Sequence, residues 1–167
     1  MKSLSSRTRT LALGGMLTAL ALIFSYIEFL VPVSVGIPGI KLGFANIVIV
    51  YALYKLGARE AFLINVCRVV LAGLMFGSAF SILYALSGAL VSFCGMALLR
   101  RTGLFSTAGV SMAGGVLHNL GQIAVAAFVV QTAQVLLYFP VLVFAGIATG
   151  IVNGILAALC LEKTQKL

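Results

Sequence analysis

Apolar runs of about twenty residues recur along this chain, separated by short clusters of glycine, proline and basic residues. A hydrocarbon core of about 30 Å takes ~20 helical residues to cross, so runs of this length are the strongest constraint on the fold. Of the 167 residues, 62% are hydrophobic and 8% are charged. A water-soluble domain of this size needs more polar residues to cover its surface. Lipid offers no hydrogen-bond partners to the backbone, so each crossing must satisfy its own N–H and C=O groups. The alternating pattern of a membrane barrel is missing. The chain therefore reads as all-α, a single integral membrane domain over 1–167 with six transmembrane helices. The spans are predicted at about 11–31, 43–56, 60–77, 80–99, 105–130 and 136–160.

The breaks carry the residues expected of turns. Pro32, Gly36, Pro38 and Gly39 separate the first two spans, and Gly57 precedes the third. Gly77 and Ser78 end the third, Arg100 to Gly103 end the fourth, and Gln131 to Gln134 separate the last two. The first apolar run follows Lys2, Arg7 and Arg9. It is longer than the apolar core of a signal peptide, so a retained helix is expected.

A formal charge of +8 would suggest nucleic acid in a soluble protein, but no basic run with interleaved aromatics is present. Alternating six spans from an inner N-terminus instead puts Lys2, Arg7, Arg9, Lys55, Arg59, Arg100, Arg101, Lys163 and Lys166 on one side and Lys41 on the other. That asymmetry predicts both termini in the cytoplasm. Cys67, Cys94 and Cys160 lie in apolar stretches without metal-ligand spacing and are expected to act as small buried hydrophobes. Gly146, Gly150 and Gly154 repeat every four residues, as do Gly73 and Gly77, and Gly15 and Ala19. Such stripes let helix backbones approach closely in lipid. Packing within the bundle is the expected use of the first two stripes. The Gly15/Ala19 pair is a candidate docking face for a separate membrane subunit.

Polar groups inside a bilayer are costly and tend to serve function. Arg68 falls about nine residues into the third span, and Asn65 precedes it by one turn. His118, Asn119 and Gln122 are similarly deep in the fifth span. Glu28 lies near the outer end of the first span, and Lys41 and Asn46 flank the outer start of the second. Together they predict a polar cavity at mid-depth or in the outer half. A guanidinium keeps its proton and needs a partner. One reading pairs Arg68 with Glu28 and uses His118 and Asn119 as struts between helices. The other makes Arg68 and Lys41 counter-charges for an anionic ligand. The Pro/Gly-rich stretch from Pro32 to Lys41 is either a lid over this cavity or a plain connector.

Absences narrow the chemistry. The sequence contains no aspartate, no Gly-rich phosphate loop and one histidine. Glu60 and Glu162 fall at the cytoplasmic edge, so no carboxylate pair is available for hydrolysis or Mg²⁺ binding. No cofactor, metal site or enzymatic activity is expected.

Several segments resemble a bacterial family. They are Leu22-Ile-Phe-Ser-Tyr-Ile-Glu28, Lys41-Leu-Gly-Phe-Ala-Asn46, Arg59-Glu60 leading to Cys67-Arg68-Val69, Leu83-Tyr84 with Ser87-Gly88, and Gly109-Val-Ser111 leading to His118-Asn119-Leu-Gly-Gln122. The sequence looks like the Gx transporter family, also called heptaprenyl diphosphate synthase component I, which resembles the substrate-binding S components of energy-coupling-factor transporters. The resemblance implies a six-helix subunit of the bacterial cytoplasmic membrane. Such a subunit binds a small molecule in its outer half and works with a transmembrane coupling subunit and cytoplasmic ATPases. Gly15 and Ala19 match the spacing of the Ala-x-x-x-Ala docking motif of S components, as a small-residue variant. The synthase name implies instead a partner in making polyprenyl diphosphates. Synthases of that kind hold Mg²⁺ with Asp-rich motifs, so this chain would be a non-catalytic subunit. The expected ligand is small, anionic or amphipathic, and isoprenoid- or quinone-related. A structural subunit of a membrane redox complex is the third alternative.

Overall fold

The computed structural model describes residues 2–31 and 42–165. Six α-helices account for nearly all of them: α1 (Lys2–Leu30), α2 (Phe44–Lys55), α3 (Ala58–Phe76), α4 (Ala79–Thr102), α5 (Thr107–Val130) and α6 (Phe139–Gln165). A short 3₁₀ helix, Ala133–Tyr138, leads into α6. Among the described residues there is no strand. The helices start and stop where local chemistry directs. Ser78 and Ser81 form a reciprocal capping box at the start of α4, each hydroxyl accepting the other's backbone N–H. The Ser106 hydroxyl accepts the Gly109 N–H at the start of α5. Gly103 closes α4 in the left-handed conformation that is natural to glycine.

Two departures from the expected spans have simple causes. The first helix begins at Lys2 rather than near residue 11, because the basic segment preceding the apolar run carries no glycine or proline to interrupt it. The last helix begins at Phe139 rather than 136, since the residues before it wind into the tighter 3₁₀ form.

Four segments are long and apolar enough to cross a membrane: Arg7–Leu30, Ala79–Thr102, Thr107–Val130 and Ala133–Thr164. The other two helices differ. α3 has 19 residues and carries Arg59, Glu60 and Arg68, while α2 has 12. At the rise of an α-helix, α2 covers little more than half of the hydrocarbon thickness and cannot cross it unaided. The packing explains how it is tolerated. α2 is the centre of the core: Val48, Ile49, Val50, Ala52 and Leu53 are buried against Leu17 and Ala21 of α1, Ile64 of α3, Phe93 of α4 and Ala157 of α6. Its neighbours, rather than lipid, surround it.

The two ends of the bundle are distinct. At one, the Lys55 ammonium donates to the Thr164 carbonyl at 3.0 Å, and the Arg100 guanidinium lies 5.1 Å from the centre of the Tyr54 ring. This joins the C-terminal ends of α2, α4 and α6. At the other, Phe29 and Tyr26 of α1 pack against Phe76 at the end of α3, with ring centres 5.3 and 5.5 Å apart. The Glu28 carboxylate there accepts the backbone N–H of Phe44 at 2.7 Å. Consecutive helices therefore alternate in direction, and Lys55, Arg59, Arg100, Arg101 and Lys163 gather at the first end.

Glycine makes the seam between α5 and α6. A side chain at Gly150 would sit 2.6 Å from Met112 Cα and 2.7 Å from the Ser111 carbonyl, and one at Gly154 would sit 2.5 Å from Ala108 Cα. Gly115 and Gly146 oppose each other backbone to backbone. The Gly146/Gly150/Gly154 stripe thus packs within the chain, as expected. Gly73 meets Ile82 of α4.

The outer surface is apolar, with Leu11, Leu74, Phe128, Leu137 and Phe144 all strongly exposed. The cysteines correct an expectation: Cys67, Cys94 and Cys160 are free and exposed, not buried. In a chain built for lipid, an apolar neighbourhood marks the outside as readily as the inside.

Candidate functional site

The polar residues of the apolar helices converge. A cavity of about 490 Å³ opens between the helices in the half away from the basic end. Every α-helix contributes to its wall. Glu28 comes from α1, Asn46 from α2, Arg68 from α3, Ser81 from α4, His118, Asn119 and Gln122 from α5, and Thr149 from α6. Six of the eight sequence-predicted binding residues therefore line one space. Asn65 does not line it but stands behind Arg68. Lys41, together with the expected lid over 32–41, lies outside the described residues.

Arg68 is held from within its own helix. Its Nη2 donates to Asn65 Oδ1 at 2.9 Å, the contact expected of residues three apart on one face. Asn65 is buried, and its amide donates in turn to the Ala89 carbonyl of α4 at 3.4 Å. The Arg68 Nε is sealed from solvent and has no hydrogen-bond partner. The expected Arg68–Glu28 ion pair is not formed as a contact: among the described residues no carboxylate lies within 4.0 Å of the guanidinium. The two charges interact across space instead. Glu28 is held in place by its bond to the Phe44 N–H, where a carboxylate suits the positive start of α2.

Close helix contact positions the α5 groups. Gly88 of α4 lies so near α5 that a side chain there would meet the His118 carbonyl and the Gln122 Cγ, both at 2.8 Å. Ser87 locks the same junction by donating to the Gly121 carbonyl at 3.1 Å. Asn119 donates to the Leu142 carbonyl of α6 at 2.7 Å, so it is a strut between helices as well as part of the wall. Gln122 is 4% exposed and lines the cavity.

Asn153 is the residue that sequence reasoning passed over. It is buried in α6, and its amide donates to the carbonyls of Leu42 and Gly43 at 3.2 and 3.0 Å. It thereby pins the chain just ahead of α2. Gly43 itself is left-handed, and a side chain there would press on the amides of Asn153 and Asn46, each at 3.2 Å. The Lys-Leu-Gly-Phe-Ala-Asn segment thus brings a turn that fits against one buried asparagine and presents another, Asn46, to the cavity. The signal in the sequence was a lone amide among apolar residues of the sixth span, the feature that singled out Asn65 and Asn119.

Gly15 and Ala19 lie on the outward face of α1 beside Leu11, Met16 and Ile23, and no atom approaches within 4 Å of the position a Gly15 side chain would take. Leu17 and Ala21 occupy the opposite, buried face.

Helices long and apolar enough to cross a membrane, packed around a cavity with several polar groups in its wall, mark a membrane-type helical protein with an internal hollow of small-molecule size. The sequence model for heptaprenyl diphosphate synthase component I matches residues 17–160, and the chain belongs to that family. No match was found among curated proteins or among solved structures.

Proposed function

We propose that the chain is a membrane substrate-binding subunit of the energy-coupling-factor S-component type, holding a small molecule with an anionic group in the cavity and doing no chemistry of its own. The observation that carries this reading is the convergence of Arg68, His118, Asn119, Gln122, Asn46 and Glu28 on one space of about 490 Å³. A bundle needing polar groups only as struts would close them against one another. Here Arg68 and Gln122 line an open space, and no carboxylate among the described residues touches the guanidinium. In this reading all six helices cross a bacterial cytoplasmic membrane, and the basic end lies in the cytoplasm by the positive-inside rule. The cavity then faces outward, and the open Gly15/Ala19 face of α1 docks a coupling subunit.

The orientation is directly measurable. In a cysteine-free background, Leu137→Cys should react with a membrane-impermeant maleimide applied to intact cells, and Leu104→Cys should react only after lysis. Both positions are strongly exposed, in connections at opposite ends of the bundle. The reverse labelling pattern would invert the topology.

The family description favours a second reading, a non-catalytic membrane subunit of a polyprenyl diphosphate synthase. Mild affinity purification from native membranes separates the two. Co-isolation of a coupling subunit with ATPases is expected; co-isolation of an Asp-rich prenyl synthase in their place would establish the second reading.

A further inference from the structure

Two opposite charges face this cavity from different helices without touching. Arg68 comes from α3 and Glu28 from α1, and no carboxylate among the described residues lies within 4.0 Å of the guanidinium. Removing charges from water is costly, and where they serve packing alone the cost is offset by direct contact and shared hydrogen bonds. These two are each anchored elsewhere, Arg68 to Asn65 and Glu28 to the Phe44 N–H. The anchors hold the charges apart with the hollow open to both.

Each charge also keeps capacity for a further partner. Of the guanidinium's five N–H donors only one on Nη2 is committed, to Asn65, and Arg68 lines the cavity together with Gln122 and His118. The Glu28 carboxylate has committed one oxygen to Phe44, and its second accepts no hydrogen bond among the described residues. Beside it, Phe29 and Phe76 line the cavity with ring centres 5.3 Å apart. Aromatic faces next to a carboxylate favour an ammonium or a similar cation. An anion lacking a positive group would gain at Arg68 but be repelled by Glu28, and a cation would meet the reverse.

Resting on the carrier reading above, we propose that the molecule held here is dipolar, with a carboxylate or phosphate at Arg68 and an amine-type cation at Glu28. The cavity volume falls at the small end of the range found for small-molecule sites. A compact amino acid or amine-bearing acid suits a space of that size. A heptaprenyl diphosphate does not, being far too long and carrying several negative charges with no positive one.

The test needs no prior identity for the molecule. The detergent-purified full chain is mixed with the small-molecule extract of its own cells, split at neutral pH into three fractions: bound by an anion exchanger, bound by a cation exchanger, and bound by neither. Thermal unfolding is followed for the wild type, Arg68→Gln and Glu28→Gln. Glutamine at 28 keeps an oxygen for the Phe44 N–H, so loss of binding there is not loss of the fold. The fraction bound by neither exchanger should raise the wild-type midpoint by several degrees, and the rise should vanish in both variants. If the anionic fraction carries the effect, or Glu28→Gln responds like the wild type while Arg68→Gln does not, the dipolar assignment is overturned and the carrier reading stands. If no fraction moves the wild type, both fall.

Discussion

Gly150→Val is expected to abolish accumulation of folded protein, whereas Gly15→Val should leave it at the wild-type level. Position 150 has no room: its first side-chain carbon would lie 2.6 Å from Met112 Cα and 2.7 Å from the Ser111 carbonyl. These obstacles are backbone atoms of α5, which cannot rotate away as the end of a side chain can. The helices would have to separate along the whole Gly146–Gly154 seam, losing the close contact that holds them together in lipid. Overpacking in a well-filled core typically costs ~1–3 kcal/mol, and a clash against backbone belongs at the top of that range or above it. Against the ~5–15 kcal/mol of a typical domain that is a severe loss. Gly15 meets nothing within 4 Å, so the same substitution there adds only surface. Monodispersity and thermal midpoint in detergent measure both. Equal behaviour of the two variants would mean that α5 and α6 do not approach each other so closely. Because Gly15 lies on the face proposed to dock a coupling subunit, the Gly15→Val protein offers a second readout: under that proposal it should fold normally yet fail to co-purify with such a subunit.

The contrast between these glycines also shows what a sequence of this kind discloses. Spacing identified Gly146, Gly150, Gly154, Gly15 and Ala19 as small-residue faces, because a four-residue repeat on a helix is a geometric fact. It left open whether each face turned inward, since in lipid both faces of a helix are apolar. The same ambiguity misassigned the three cysteines, which face outward. Polar residues were more legible. An arginine, a histidine and several amides in hydrocarbon have few places to go, and most of those named converged on the cavity. Asn65 went behind Arg68 because its neighbour at i+3 was the nearest partner. One reading paired Glu28 with Arg68, but its bond is to the Phe44 N–H, a backbone group no side-chain pattern advertises. Asn153 carried the same lone-amide signal as Asn65 and Asn119 and was passed over; the sequence does not show that its partners are the Leu42 and Gly43 carbonyls. A polar residue in an apolar span is legible in a sequence; its partner is not when that partner is backbone, as for Glu28, Asn119 and Asn153.

Arg68→Gln is the substitution expected to damage the site most. The guanidinium meets its surroundings through Asn65 Oδ1 on one side and the cavity on the other. A hydrogen bond to a charged group is worth about 1.5–3 kcal/mol, which corresponds to roughly 10- to 100-fold in affinity. Loss of the charge adds to this, because Arg68 is the only Lys or Arg among the described residues lining the hollow that Glu28 faces. Retention of small molecules through mild purification, followed by mass spectrometry, should therefore fall to background. Arg68→Lys keeps the charge but lacks the planar fork and Nε, so partial retention is expected. The pair of variants separates folding from binding, since both shorten the side chain and weaken the contact with Asn65, while only glutamine removes the charge. Should Arg68→Gln retain the same molecules as the wild type at the same thermal midpoint, the cavity would be a gap in packing rather than a site. The membrane architecture would be unaffected, because it rests on the apolar core around α2 and the glycine seam and not on any charge.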